Sequence, residues 1–221
     1  GVDNRIGHLV LLAETQKGYE NLMEISSKAH LEGFYYKPRV DMELLSDFSE
    51  GIIALTGCLN GDIAKALLAN REDEAREILA QLQTIFGKEN VYLELQNHPR
   101  LMEQGLVNEK LITLSQSTGT PLVATNDCHY INTEDKEAHE VLLCVQTGNT
   151  IDDENRFRMD ADLSMRSPEK MEHDFDYVPQ ATQNTLEIAN RCNVCVPIDA
   201  GNLIPAFDTP FEKKADEYLR E

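Results

Sequence analysis

Four short apolar or β-branched runs, His8–Glu14, Gly51–Gly57, Val91–Gln96 and Leu122–Asp127, are each followed by a helical pattern. Strand–helix alternation of this kind confines a chain to the α/β class. After the first run, Leu22, Ile25 and Ala29 fall on one helical face. After the second comes Ile63–Leu68, then a helix that Asn70 is placed to cap. That helix carries the stripe Ala75, Ile78, Leu79, Leu82 and Phe86, with Gly87 at its end. Val107, Leu111 and Leu114 repeat the pattern after the third run, and Ala138, Val141, Leu142 and Val145 repeat it after the fourth. Helices that return the chain between strands of one sheet make right-handed crossovers, so the strands are expected to be parallel, in a doubly wound sheet or a barrel.

From about Thr150 the periodicity loosens into the acidic stretch IDDENRFRMDADLSM, read as an excursion outside the main layers. Ser167–Phe175 and Ala181–Arg191 then become helical again. The tail from Gly201, with Pro205 and Pro210 around Asp208, reads as a linker into a helix beginning near Phe211. The chain enters a strand-like run almost at once and has no initial methionine, the pattern expected of a segment from a longer protein.

Parallel α/β folds collect their ligands beyond the C-terminal ends of the strands. Four metal-capable residues stand there: Cys58 after GIIALTG, His98 after VYLELQ, and Asp127 with His129 closing LVATNDCH. Thiolate, imidazole and carboxylate together suit zinc or a similar transition metal. Each alone has a plainer reading, Cys58 as a small buried hydrophobe and His98 as a hydrogen-bonded surface residue. Agreement among three strand ends is what raises the set. Cys128, between Asp127 and His129, is expected to face into packing. Cys192 and Cys195 have a Cys-x-x-Cys spacing without a second pair. His139 reads as a core or boundary histidine, and His8, His30 and His173 have no evident partners.

The net charge of −19 from 39 acidic and 20 basic residues opposes broad, nonspecific contact with a phosphate backbone. The one basic patch visible in the sequence is GFYYKPRVD, residues 33–41, where Lys37 and Arg39 sit beside Tyr35 and Tyr36, either a phosphate-and-base contact or an ordinary surface loop. Five cysteines without a dense pattern read as reduced and intracellular, hence cytoplasmic. No apolar run approaches a membrane span, and no leader pattern opens the chain. Phosphate-cradling Gly-x-x-x-x-Gly-Lys, Gly-x-Ser-x-Gly and Gly-x-Gly-x-x-Gly motifs are all missing, which leaves a metal-assisted hydrolase or a vestige of one.

The segments GHLVLLAETQKGYENLMEISSKA, GFYYKPRVD, GIIALTGCLNGDI, LVATNDCHYI, EAHEVLLCVQTG and EIANRCNV resemble, in order and over nearly the whole chain, the PHP domain of bacterial DNA polymerase III alpha subunits. The resemblance implies a distorted seven-stranded β/α barrel with a metal cluster at its strand ends. Cys58, His98, Asp127 and His129 match metal-ligand positions of that family. It implies residues 1–200 as a partial PHP domain whose first strands and remaining ligands, including a His-x-His motif, lie upstream, and residues 201–221 as the passage to the polymerase region. It further implies zinc or manganese in a phosphoesterase with 3′–5′ exonuclease potential, magnesium for the polymerase reaction elsewhere, and DNA and other replicative subunits as partners. The alternative it carries is a non-catalytic scaffold that docks a proofreading exonuclease subunit.

Overall fold

Strands covered on both faces must be apolar throughout, and two of the four runs meet that condition: β2 (Ile52–Leu55) and β3 (Val91–Gln96) are buried along their whole lengths. They lie side by side in one sheet of order β1-β2-β3-β4, with β1 (Val10–Ala13) and β4 (Leu122–Thr125) at the edges. The computed structural model describes residues 6–159, 161–196, 198, 209–210 and 214–220.

β2, β3 and β4 are parallel, as the alternation implies, but β1 runs antiparallel to β2, Val10 opposite Leu55 and Ala13 opposite Ile52. The all-parallel expectation fails here because the link through α1 (Gln16–Leu31) and α2 (Met42–Asp47) brings the chain back to the end of the sheet that it left: the Glu14 N–H donates to the Gly51 carbonyl at 2.8 Å, which sets the entry to β2 beside the exit from β1. The pattern around Leu22, Ile25 and Ala29 reveals only the first of these helices. Gly18 locks this return: a Cβ there would lie 1.8 Å from the Gly51 carbonyl oxygen, so α1 packs directly on the backbone entering β2. The start of α1 is capped by Thr15, whose Oγ1 accepts the Gly18 N–H at 3.2 Å.

The remaining connections follow the periodicity more closely. α3 (Asp62–Leu68) and α4 (Glu72–Phe86) precede β3, and α5 (Met102–Thr118) precedes β4. Ala75, Leu79, Leu82 and Phe86 of α4 are buried with Val107, Leu111 and Leu114 of α5 against Ile52, Ala54, Val91, Leu93 and Leu95. Glu72, Asp73 and Glu74 favour the positive end of α4, and Gly87, at φ 88°, ends it. Asn70 does not cap α4. It takes a left-handed φ of 54° in the turn from α3, and its Oδ1 accepts a hydrogen bond from Lys110 Nζ at 2.6 Å.

The opposite face of the sheet, Ile53, Leu55, Tyr92 and Val123, is covered by Ile188 of α8 (Pro179–Arg191). Arg191 fastens this helix: its Nε donates to Glu14 Oε1 at 2.9 Å, and its Nη1 donates to the Glu89 carbonyl and to Tyr92 Oη. The irregular stretch after Thr150 returns to the body before α7 (Pro168–Asp174). His129 N–H donates to the Leu163 carbonyl at 2.9 Å, and Leu163 and Phe175 are fully buried.

α6 (Lys136–Thr147) departs from expectation. Of its apolar residues only Cys144 is buried, while Val141, Leu142 and Val145 are exposed because no layer of the described residues covers that face. The short α9 (Ala215–Tyr218) falls within the region read as the start of a final helix, whereas the linker around Pro205 and Asp208 lies outside the described residues. No helix of the described residues is long and apolar enough to cross a membrane.

Candidate metal centre

The ends of β2, β3 and β4 are tied together by one buried carboxylate that the sequence reading passed over. Glu94, 4% exposed, accepts the Gly57 N–H at 3.0 Å on Oε2, and the Thr125 hydroxyl at 2.5 Å and the Gln96 amide at 3.1 Å on Oε1. Its own N–H donates to Thr56 Oγ1 at 2.9 Å. A charged residue in the middle of the apolar run VYLELQ was the available signal, since a buried carboxylate persists only when it is hydrogen-bonded. Through these bonds Glu94 positions the peptides from which Cys58 and Asp127 follow.

Beyond β4 the chain turns sharply at Asp127, whose φ of 49° lies in the left-handed region that a non-glycine residue seldom occupies. The turn brings three of the four expected residues together. Asp127 Oδ2 lies 3.2 Å from His98 Nε2, and Asp127 Oδ1 lies 3.4 Å from His129 Nε2. The His98 hydrogen bond, with His129 adding its charge and a hydrogen bond, holds Asp127 below the usual carboxylate range against the opposing effect of burial. The turn also overturns the expectation for Cys128. Alternation holds only in extended chain, and here Cys128 is exposed.

An ionised carboxylate only accepts, so His98 Nε2 carries the proton of its bond to Asp127. In neutral imidazole this leaves Nδ1 as a bare lone pair, and His98 Nδ1 is buried without a hydrogen-bond partner among the described residues. A histidine held by a carboxylate on one nitrogen and open on the other is the usual posture of a metal ligand. Imidazole and carboxylate donors of this kind suit a transition metal. The donors are not assembled into a cage, however. Among the described residues no three His, Cys, Asp or Glu side chains form a group able to hold a metal ion.

Cys58 stands apart from the three, half-buried, with its Sγ 3.3 Å from His8 Nδ1. His8 thus has a partner after all, one that sequence separation concealed. Gly57 makes the approach possible, because at its φ of 78° a Cβ would meet the His8 carbonyl oxygen at 2.6 Å. His139 of α6, read from the sequence as a core or boundary histidine, lies against the site. Its ring lies edge-on to His129 with centroids 5.5 Å apart, and burial, followed by the charge of His129, pulls its pKa down.

The Tyr35–Arg39 loop forms a wall of a different space, an apolar cavity of about 920 Å³ shared with Leu11, Leu45 and Ile63. The Arg39 guanidinium lies 4.9 Å over the Tyr35 ring, and Lys37 is exposed at the turn. Cys192 packs at the edge of the second apolar cluster, Cys195 is exposed, and all five cysteines are free thiols.

Residues 2–98 match the family model described as PHP domain. Over 221 residues the chain is 42% identical to the DNA polymerase III subunit alpha of Treponema pallidum, covering 99% of the chain and 19% of that protein. It is 41% identical over 227 residues to the same subunit of Thermus aquaticus, covering 100% of the chain and 18% of that protein. With the subunit of Borreliella burgdorferi it shares 39% identity over 214 residues, 96% of the chain and 18% of that protein. The chain spans less than a fifth of the length of each of these relatives.

Proposed function

Because this chain is a PHP-domain segment homologous to the N-terminal region of DNA polymerase III alpha subunits, we propose that it serves bacterial DNA replication as the metal-binding part of such a polymerase, with phosphoesterase activity of the 3′–5′ exonuclease type. The observation that carries this reading is the placement of Asp127 between His98 and His129 at the ends of adjacent parallel strands. In this reading the four strands belong to a distorted seven-stranded barrel. Cys58, His98, Asp127 and His129 are this chain's donors to a zinc or manganese site, and magnesium serves the polymerase reaction elsewhere in the protein.

The bound metal would supply a Lewis acid and an activated water at the phosphorus. The chain's own residues prepare the site. Asp127 stays ionised at neutral pH and fixes the rotation of both imidazoles, while Glu94 holds the strand ends that present them. Lys37 and Arg39 make a separate phosphate contact beside the apolar cavity. The setting is the cytoplasm, with DNA and the other replicative subunits as partners.

The test compares metal content and exonuclease rate of the full polymerase with those of its Asp127→Asn and His129→Ala variants. Stoichiometric metal and nuclease activity, both lost in the variants, are expected. Undiminished metal-dependent cleavage by both variants would retire the reading.

One observation favours a second reading, a scaffold that docks a proofreading exonuclease subunit. Val141, Leu142 and Val145 leave an apolar helix face exposed, 47%, 66% and 75% respectively, beside the site. That reading predicts loss of subunit capture in Leu142→Asp and full capture in Asp127→Asn.

A further inference from the structure

Next to His98 the surface opens into a cleft of about 300 Å³, at the lower end of the range for ligand pockets. Arg100, Lys136, Arg166 and Lys170 line it, facing two carboxylates, Asp162 and Asp174. In a chain with net charge −19 this concentration of cations is unusual. Neither carboxylate balances it fully. Asp174 pairs with Lys170 and lies 3.9 Å from Arg166 Nε, and Asp162 Oδ1 accepts the Ser164 N–H at 3.1 Å. Arg100 and Lys136 make no ion pair among the described residues.

Arg166 is the decisive group. Its side chain is only 8% exposed, yet its guanidinium is incompletely used. Nη2 donates to the Asp162 carbonyl at 3.2 Å, and the contact from Nε to Asp174 is long, while Nη1 is buried without a hydrogen-bond partner among the described residues. A buried guanidinium N–H left unpaired is costly, and an acceptor from outside the chain would satisfy it. The acceptor must be anionic, small and rich in oxygens, which is the chemistry of a phosphate. His98 lines the same cleft.

We propose that this cleft binds a backbone phosphate of single-stranded DNA, with Arg166 as the inner contact and Arg100, Lys136 and Lys170 around it. This holds the strand against the His98–Asp127–His129 array. The assignment of DNA as the source of the phosphate rests on the function proposed above; the anion site itself rests on the geometry of the cleft. It also answers how so acidic a chain can hold a nucleic acid, by local contacts and not by a broad basic face.

The experiment is fluorescence anisotropy of a short fluorescein-labelled oligothymidylate titrated with the chain at low salt in EDTA, so that metal plays no part. Arg166→Gln and Arg100→Gln are each expected to weaken binding about tenfold, the size of one charge-assisted contact. Lys17→Gln, on α1, removes the same charge elsewhere and should leave the affinity unchanged. Because Arg166 is buried, Arg100→Gln and Lys136→Gln at the rim repeat the test with the interior untouched, and circular dichroism checks each fold. Equal affinity in the parent chain and in all three cleft variants overturns the proposal. Cleft-dependent binding in a protein that takes up no metal would retire the metal reading and leave this one standing. Metal uptake with binding indifferent to the cleft would do the reverse.

Discussion

Glu94 Oε2 accepts the Gly57 backbone N–H at 3.0 Å, so a buried carboxylate of one strand holds the peptide that precedes Cys58 on the next. The same carboxylate accepts the Thr125 hydroxyl two residues before Asp127. The candidate ligands therefore sit on a hydrogen-bonded frame, beneath which the apolar side chains of the sheet are packed.

Replacing Glu94 by leucine removes the acceptor and leaves the Gly57 N–H and the Thr125 hydroxyl without their partner. A loss of about 1–3 kcal/mol is expected for the unsatisfied groups, read from urea unfolding followed by circular dichroism. Glu94→Gln, which keeps one carbonyl acceptor, should lose less. An unchanged midpoint in Glu94→Leu would show that water replaces the carboxylate at no cost.

At Asp127 the backbone conformation and the side chain can be separated. Glycine accepts a φ of 49° without strain and alanine does not. Both variants lose the contacts to His98 and His129, yet Asp127→Gly is expected to be more stable than Asp127→Ala by about 1 kcal/mol. The reverse order in thermal unfolding would mean that the turn is not imposed on the residue.

The same residue gives stability a pH dependence. Its pKa is depressed in the folded chain, chiefly by the His98 hydrogen bond. The unfolded chain therefore binds its proton first as pH falls, and the stabilisation is present above the unfolded carboxylate pKa of about 3.9 and lost as pH drops through the folded value. Wild type should exceed Asp127→Asn in stability at neutral pH, with the gap closing in acid. A gap independent of pH, measured across a series of urea melts, would contradict this sign.

Gly18 leaves no room for a side chain, since a Cβ would lie 1.8 Å from the Gly51 carbonyl oxygen. Gly18→Ala must push α1 off the entrance to β2, at a cost of about 1–3 kcal/mol or more by the standard of overpacked sites. Thermal unfolding that shows no loss would mean that α1 moves freely over the sheet.

The strands and most helices were legible in the sequence because their signals are local. Ala75, Leu79, Leu82 and Phe86 recur at helical spacing and are buried as one stripe, and VYLELQ announces a strand covered on both faces. The stripe in α6 obeys the same spacing, yet Val141, Leu142 and Val145 stay exposed. Periodicity states which residues share a face and says nothing of what covers it.

Ligand-capable side chains after three strand ends were likewise readable, as was their donor chemistry. What only the tertiary structure decided was their grouping. Asp127 joins His98 and His129 because its left-handed turn aims it there. Cys58 goes instead to His8, fifty positions away in sequence, and β1 runs against β2 because the Gly51 carbonyl at the entry to β2 is held by the Glu14 N–H at the exit from β1. Arg166 and Lys170 meet Arg100 and Lys136 in one cleft although nothing in their spacing connects them. The sequence alone determined the elements and the kinds of donor, because propensity, periodicity and donor chemistry act over a few residues. Pairing across the chain depends on the directions in which turns and packed backbones send it, and those are properties of the assembled fold.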